Sequence, residues 1–588
     1  AVVNADNDED DVFAIKQEKD VLAEEMPAVV VTKDDEMDVD IDFADLGEDI
    51  MDAIDEKPAQ PPAEPLYAED ATDKGTNWMD VQTGVGTSQP TTLSQTEAPS
   101  LATGDLCMYW LDAFEKNGNI YLFGKTPANG SYQSCCVQVS GVERNVFVLP
   151  SIDPTTGERF NALDVHKEFE KLALPIIRRF DCKPVVRKYA FEIAGVPSEA
   201  EYLKVVYSFT QPALPADMKG TTFERTFGTS YSALELFLLK RRIMGPCWLT
   251  LHNATAIDTH DRLSWCRTEF SIADPKLVKI MDDSAIEQKS LPREPPLTTM
   301  TLSLKTVMNH KAKENEVVAL SMLVHRNMKL DDPKPASQRP ADQYTVVRQL
   351  TGIPLPAEFS RQRGLAVEVC KTETALLNYF IALLHRADPD ILISHNFYGF
   401  DLDVLLHRMR ALRTDGWSKL GRLRRVQWPK MSSGGAGYAE RQIVAGRVVC
   451  DTYMASKDLI RAKSYSMSSL AAQELQIKRE EIPFERIPEY FATSQKLVHF
   501  LRHTAFDAFL AASLMIHLQA LPLTKQLTTL AGNLWSRTLM GARAERNEFL
   551  LLHEFYRNKF IRPDKVFGKQ AAVAQQQPAN EDEDEQPE

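Results

Sequence analysis

The sequence predicts a mixed α/β (α+β) protein, with two ordered bodies behind a disordered acidic N-terminus. Three observations predict it. Residues 1–60 hold 21 Asp/Glu against 4 Lys/Arg, and such a segment cannot bury enough apolar surface to offset its ordering entropy. From about Asp105, apolar and polar residues alternate in short runs between Gly and Asn turns, the pattern of antiparallel strands. Beyond Leu297 the rhythm changes to strands interleaved with helices.

Composition excludes several classes. The 588 residues are 44% hydrophobic and 26% charged, ordinary for a globular chain. The longest apolar runs, such as Val317–Leu320 and Phe549–Leu552, fall far short of the roughly 18 residues a membrane span needs. The start, AVVNADNDED, is acidic where a signal peptide is basic and then apolar. The net charge of −16 comes from the ends. Residues 581–588 carry 6 acids and no base, which leaves residues 61–580 with 56 acids and 63 bases, about +7. A low overall pI therefore does not argue against a nucleic-acid partner. The eight cysteines are scattered and form no CxxC pair. That argues against a zinc module and fits a reducing compartment, cytosol or nucleus.

Residues 1–104 read as disordered, through the Pro-rich run Pro58–Pro65 to Gly104. Within them, Phe43, Leu46, Ile50, Met51 and Ile54 recur at helical spacing in the acidic segment Ile41–Asp55. This predicts a short helix that folds onto a partner's groove. The plainer reading is an acidic tail with incidental apolar residues. Lys16, in IKQE, has the form of a small-modifier acceptor.

The first body, residues 105–296, opens with a β-meander (CMYWLDAFE, NIYLFGKT, CCVQVSG, NVFVLP). Lys171–Phe180 reads as a helix, and KYAFEIAG and EYLKVVYSF read as strands. Ser232–Arg242 is a helix with Ser232 as its N-cap, followed by the strand CWLTL. The second body, residues 297–520, begins with strands TTMTLSLKTV and VVALSMLVH. A polar, Pro-containing stretch follows, and then a third strand, LAVEVCK. A helix with Leu376, Leu377, Phe380, Ile381 and Leu384 on one face comes next, then the loop DPD, strand ILISHN and helix FDLDVLLHRMR. Residues 521–568 read as helical, and 569–588 as an acidic linker.

The order β-β-β-α-β-α is that of the ribonuclease-H-like fold, in which carboxylates from the first strand, from just after the fourth and from a late helix converge on two metals. At these places the chain has Ser303 and Lys305, Asn396 and Asp401, and His503 and Asp507. A hydroxyl cannot replace an ionised carboxylate, and an ammonium repels a cation. No metal site and no metal-dependent exonuclease activity are expected. Plain alternatives are helix caps or a surface ion pair for Asp401 and Asp507, and a solvent-facing position for Lys305.

Four motifs then carry a resemblance: GTSYSALELFLLKRRIMGPCWL, DPDILISHNFYGFDLDVLLHR, GRVVCDTYMASKDLIRAKSYSMSSL and AGNLWSRTLMGARAERNEFLLLHEFYRNKFIRPDK. From about Asp105 to Lys565 the chain resembles the N-terminal and exonuclease-like domains of family B DNA polymerases. The Ser303-x-Lys305 change resembles the alpha branch, the partner of primase. Proofreading branches keep both acids. The resemblance implies extension of RNA primers with DNA in the nucleus, on DNA and RNA–DNA primer-templates. It also implies primase subunits, a possible replisome partner for residues 41–55 and an accessory B subunit, with no membrane. The family's palm motifs, Asp-Ser-Leu-Tyr-Pro and Tyr-Gly-Asp-Thr-Asp-Ser, do not occur in residues 1–588. The sequence thus reads as an N-terminal part without the palm or the C-terminal cysteine-rich modules. No catalytic residue is expected in this chain, no cofactor in this part, Mg²⁺ in the palm and zinc in those modules.

Two basic stretches are nucleic-acid-binding candidates. Arg537, Arg543 and Arg546 lie near Lys525 and Asn533, and guanidinium groups bind phosphate in a forked geometry. The alternative is ion pairing with Glu545 and Glu548. Leu420–Lys430 places Arg424 and Arg425 beside Trp428, a pairing suited to single strands or to a solvated loop. Two further readings stay open: a noncatalytic nucleic-acid-binding or assembly scaffold, and an active 3′–5′ exonuclease, which Ser303 and Lys305 disfavour.

Overall fold

The computed structural model describes residues 105–564, apart from positions 129, 192, 194, 357, 360–366 and 430–436. The readings made for residues 1–104, including Ile41–Asp55 and Lys16, and for 569–588 lie outside the described residues.

The meander forms as its alternation dictates. Strands β1 (Leu106–Lys116), β2 (Asn119–Ala128) and β3 (Ser131–Val139) pair antiparallel in sequence. Strand β4 (Glu143–Pro150) leaves for a second sheet with β5 (Asp181–Tyr189), β6 (Glu199–Ser208) and β7 (Phe223–Phe227). Strands β8 (Trp248–Leu251), β9 (Thr255–Ala256), β10 (Thr268–Ile272) and β11 (Val278–Ile280) return to the first, in the order β11-β8-β1-β2-β3-β10-β9. The helix Ala233–Arg241 packs Leu236, Phe237 and Leu238 on this sheet. It carries the full capping box, with Ser232 and Glu235 each bonding the other's backbone N–H.

Two expectations move by several residues. The helix read as Lys171–Phe180 is Ala162–Ala173, started by Asn161 and ended before Pro175. It buries Val165, Phe169 and Ala173 against Val146, Val148, Leu203 and Val205. The apolar cluster Leu172–Ile177 suggested a helix, but the proline ring fixes where it stops. The strand read as KYAFEIAG is β5, which ends at Tyr189.

The second body is built on β12 (Leu297–Asn309), β13 (Glu314–Met328), β14 (Asp342–Arg348), β15 (Val367–Cys370), β16 (Ile391–Ser394) and β17 (Val448–Asp451). They form one sheet, in the order β15-β14-β13-β12-β16-β17. LAVEVCK is therefore the fourth strand, at the edge. The third is β14, inside the stretch read as polar loop, where DQYTVVR alternates too briefly to stand out among its neighbouring Pro and Asp residues. Numbered along the chain, the six strands run 4-3-2-1-5-6 across the sheet, with β15 and β17 at its edges. The helices Glu373–Ala387 and Leu402–Ala411 share a core with Met300, Leu302, Leu320 and Met322. The 24-residue helix Ser494–His517 packs against β12 and β13. Strand β18 (Phe560–Ile561) returns to β5 of the second sheet. Among the described residues, no single helix is long and apolar enough to cross a membrane.

The loop DPD is a buried charged joint. Asp388 and Asp390 accept Arg422 at 3.3 and 2.9 Å, Arg447 reaches Asp388 at 3.1 Å, and Lys125 from β2 reaches Asp390 at 2.9 Å. Burial works against ionised Asp388, but Arg422 and Arg447 hold its carboxyl well below the usual range. This network fastens the meander to the sheet that carries the site.

Candidate functional site

The topology brings the candidate residues together. Strand β12 runs beside β16, with Thr301 opposite Ile393. Ser303 and Lys305 therefore lie next to the turn that follows β16. That turn is a single π-helical turn, Phe397–Asp401, entered through Asn396 at φ +65°, and such turns are frequent at functional sites. A Cβ at Gly399 would stand 2.3 Å from Asn396 Oδ1, so a larger residue there would displace the end of the Asn396 side chain. The helix Ser494–His517 supplies Asp507 from the other side. Ser303, Lys305, Asn396, Asp401 and Asp507 line one cavity of about 190 Å³, together with Ser394, His395 and Arg479.

The charges inside are arranged against a metal. Lys305 Nζ donates to Asp507 Oδ2 at 2.5 Å. Arg479 grips the same carboxylate with two bonds, Nε to Oδ1 at 2.7 Å and Nη2 to Oδ2 at 2.9 Å. Both carboxylate oxygens are thus taken by cations. Burial opposes the charge, but Lys305 and Arg479 hold the Asp507 carboxyl well below the usual range. Asp401 goes the other way. Burial pushes its carboxyl up to about 7, although Ser394 Oγ donates to it at 2.5 Å. Near neutral pH it is only partly ionised.

His503 does not face the cavity. Its Nε2 bonds the Glu480 carbonyl at 2.7 Å, and its Nδ1 lies 3.7 Å from Asp507. Asp401 and Asp507 are 6% and 5% exposed, so neither is a surface ion pair, and neither side chain caps a helix. Lys305 is half-buried rather than solvent-facing.

A Mg²⁺ pair does not fit these residues. Two of the four positions are not acids, one remaining acid is neutralised by two cations, and burial raises the pKa of the other. Among the described residues, no group of three or more His, Cys, Asp or Glu could hold a metal ion.

Sequence reasoning missed Arg479 and Asp451. Arg479 lies 28 residues before Asp507 in irregular chain, with no motif around it. Asp451 ends β17 and accepts the backbone N–H groups of Asn396, Tyr398 and Tyr453 at 2.8, 3.2 and 3.0 Å, fixing the turn that carries Asp401. Its placement directly after the buried run VVC was the available signal.

The basic candidates lie elsewhere and are engaged within the chain. Arg543 and Arg546 share Asp458 at 2.7 and 3.6 Å, and Arg537 lies 3.9 Å from Glu545. Lys525 pairs with Glu294, and Asn533 is fully buried. Arg424 sits over Trp265 at 4.7 Å and Arg425 over Phe114 at 5.1 Å. Trp428 stacks on Trp417 with centroids 4.0 Å apart, so one of its faces is covered. Asp458 thus takes Arg543 and Arg546, while Glu545 lies beside Arg537.

Comparison with known proteins places this geometry. Residues 224–470 match the family described as DNA polymerase family B, exonuclease domain. The chain is 42% identical over 482 residues to the DNA polymerase alpha catalytic subunit of Xenopus laevis, covering 78% of this chain and 32% of that one. Over about four fifths of its length it is thus similar to family B DNA polymerases of the alpha catalytic subunit branch. The mouse (Mus musculus) DNA polymerase alpha catalytic subunit is 38% identical over 497 residues, 81% of this chain and 33% of that one. The DNA polymerase alpha catalytic subunit of Arabidopsis thaliana is 37% identical over 546 residues, 83% of this chain and 35% of that one. The chain thus spans about a third of the length of these family B relatives. The solved family B DNA polymerase of Pyrobaculum calidifontis shares the fold, with TM-score 0.53 at 16% identity over 79% of this chain and 52% of that one.

Proposed function

We propose that this chain is part of a replicative polymerase of the alpha type, which extends primase-made RNA primers with DNA in the nucleus and does not proofread. The observation that carries the second half is the closed triad Lys305–Asp507–Arg479. Cations from the protein stand where a metal would bind, so the exonuclease-like domain acts as a platform. The names and identities of the relatives support the first half. The corresponding partners are DNA and RNA–DNA primer-template, primase subunits and an accessory B subunit. Mg²⁺ would serve a palm, and zinc would serve C-terminal modules.

Extension of a labelled primer on a primed template tests the polymerase reading. The isolated chain should incorporate no nucleotide, while the same chain continued through a palm with paired aspartates should do so. Incorporation by residues 1–588 alone would contradict the assignment of catalysis to a palm. The scaffold reading draws on one observation: the described basic candidates are largely satisfied by internal acids and rings.

A further inference from the structure

A segment of the first body and a segment of the second meet beside the charged joint. Ser264 bridges to Leu423, the Trp265 backbone N–H donates to the Arg422 carbonyl at 2.7 Å, and the Arg424 N–H donates to the Leu263 carbonyl at 2.8 Å. This short antiparallel pairing sets the Trp265 indole beside Arg424. The 3₁₀ turn Trp417–Leu420 meets the same indole, whose Nε1 donates to Ser418 Oγ at 3.2 Å. Lys419 is the next residue of that turn. The backbone thus fixes where both Arg424 and Lys419 leave the chain.

Two cations stand on the half-buried ring. Lys419 Nζ lies 4.9 Å from its centroid and the Arg424 guanidinium 4.7 Å, so the two are at most 9.6 Å apart. Contact with a ring fixes the place of a charge without neutralising it. Neither group forms an ion pair among the described residues. Arg424 Nε is enclosed, whereas its two terminal nitrogens and Lys419 Nζ remain open to solvent.

The carboxylates of the joint are already taken. Asp388 serves Arg422 and Arg447, with Arg267 4.0 Å away, and Asp390 serves Arg422 and Lys125. Lys419 and Arg424 are therefore two positive charges in surplus. His385 lies against the same ring, with centroids 6.0 Å apart. Burial, then Lys419 and Arg267, pushes its imidazole down to about 4, so it is neutral near pH 7. Two like charges held this close repel each other, and an anion lying across both offsets that cost.

We propose that Lys419 and Arg424, held in place by Trp265, bind the phosphodiester backbone of a nucleic-acid strand. A strand carries one charge about every 3.4 Å of its axis, so two or three neighbouring phosphates span the pair. Lysine meets a phosphate as a point charge, and the open end of the arginine meets it as a fork. The contact positions a strand without reading its sequence, since the indole holds cations rather than a base. The choice of a nucleic acid over other polyanions rests on the polymerase reading above.

The test is fluorescence anisotropy of the whole chain with a labelled oligothymidylate and with a duplex of the same length, in chelator and over a series of salt concentrations. Saturable binding is expected. Lys419→Ala combined with Arg424→Ala should weaken it at least tenfold and lower the slope of log affinity against log salt by about 1.4 on the single strand. Each single change should lower that slope by about 0.7, and Lys419→Arg should leave it as it is. Trp265→Leu, which keeps both cations, should weaken binding severalfold with little change of slope. Tighter binding of the oligothymidylate identifies a single strand as the source, and tighter binding of the duplex a double strand. Three results would overturn the proposal: no saturable binding to either probe, unchanged affinity and slope in the double variant, or equal competition by polyglutamate of the same charge. Primer extension does not enter this readout, so the surface and the polymerase reading fail separately. Unchanged thermal unfolding of the double variant establishes that the loss is local.

Discussion

Two carboxylates in one small cavity have opposite fates, and each has a physical cause. Asp507 has two cations and stays ionised, whereas Asp401 is buried with one hydroxyl donor and a distant ammonium, so its proton is held up to about 7. The signs of the two linkages differ. The raised Asp401 contributes stability that is full below about pH 4 and lost as the pH climbs through about 7. The depressed Asp507 contributes stability that is present above about pH 4 and lost in more acidic solution. Asp401→Asn keeps an acceptor for Ser394 without the buried charge. It should gain about 1–3 kcal/mol over wild type at pH 8 and little at pH 4, in denaturant titrations at both pH values. Lys305→Met should lose roughly 1–3 kcal/mol at pH 7, less than a full orphaned charge because Arg479 remains on Asp507. At this scale the sequence was informative where residue type alone settles the chemistry. Ser303 and Lys305 could be read as non-ligands without a structure. Arg479 could not, because only the tertiary fold brings it to Asp507.

Among elements, the strands were most legible where the alternation is long. Strands β12 and β13 run 13 and 15 residues and were recognised directly. Strand β14 has seven residues in a polar setting and was passed over, which made the edge strand β15 look like the third. The helix Ser232–Arg242 was legible because its N-cap residue is written in the sequence, whereas Ala162–Ala173 was masked by apolar residues past its proline. The same elements allow the site to be rebuilt. Ser303→Asp with Lys305→Glu restores the acids on β12, but Arg479 still neutralises Asp507. The double variant should gain only weak Mn²⁺ affinity, and adding Arg479→Ala should tighten it at least tenfold. Manganese titration followed by paramagnetic resonance checks both steps. Equal affinities of the double and triple variants would show that Arg479 does not compete with metal.

For the whole molecule, the buried joint at Asp388 and Asp390 fastens the exonuclease-like domain to the meander. It ties β2, the start of β16 and the loop carrying Arg422 and Arg447 into one charged network. Asp388→Ala would leave Arg447 without its carboxylate and Arg422 with only Asp390. The expected cost is about 3–5 kcal/mol, read as a lower denaturation midpoint. A change below about 0.5 kcal/mol, the scale of a surface pair, would show that the joint is not structural. Nothing in the sequence marked this network, since DPD reads as an ordinary turn until Lys125 and Arg422 are seen beside it.

The central claim is that the family B exonuclease site in this chain is closed by its own cations. Its most direct measurement is the degradation of 3′-labelled single-stranded DNA by the purified chain in Mg²⁺ and in Mn²⁺. No trimming above a metal-free control is expected in either ion, with Asp401→Ala indistinguishable from wild type. Clear 3′-end trimming by wild type that disappears in Asp401→Ala would contradict it, by showing that the two remaining acids suffice despite Lys305 and Arg479.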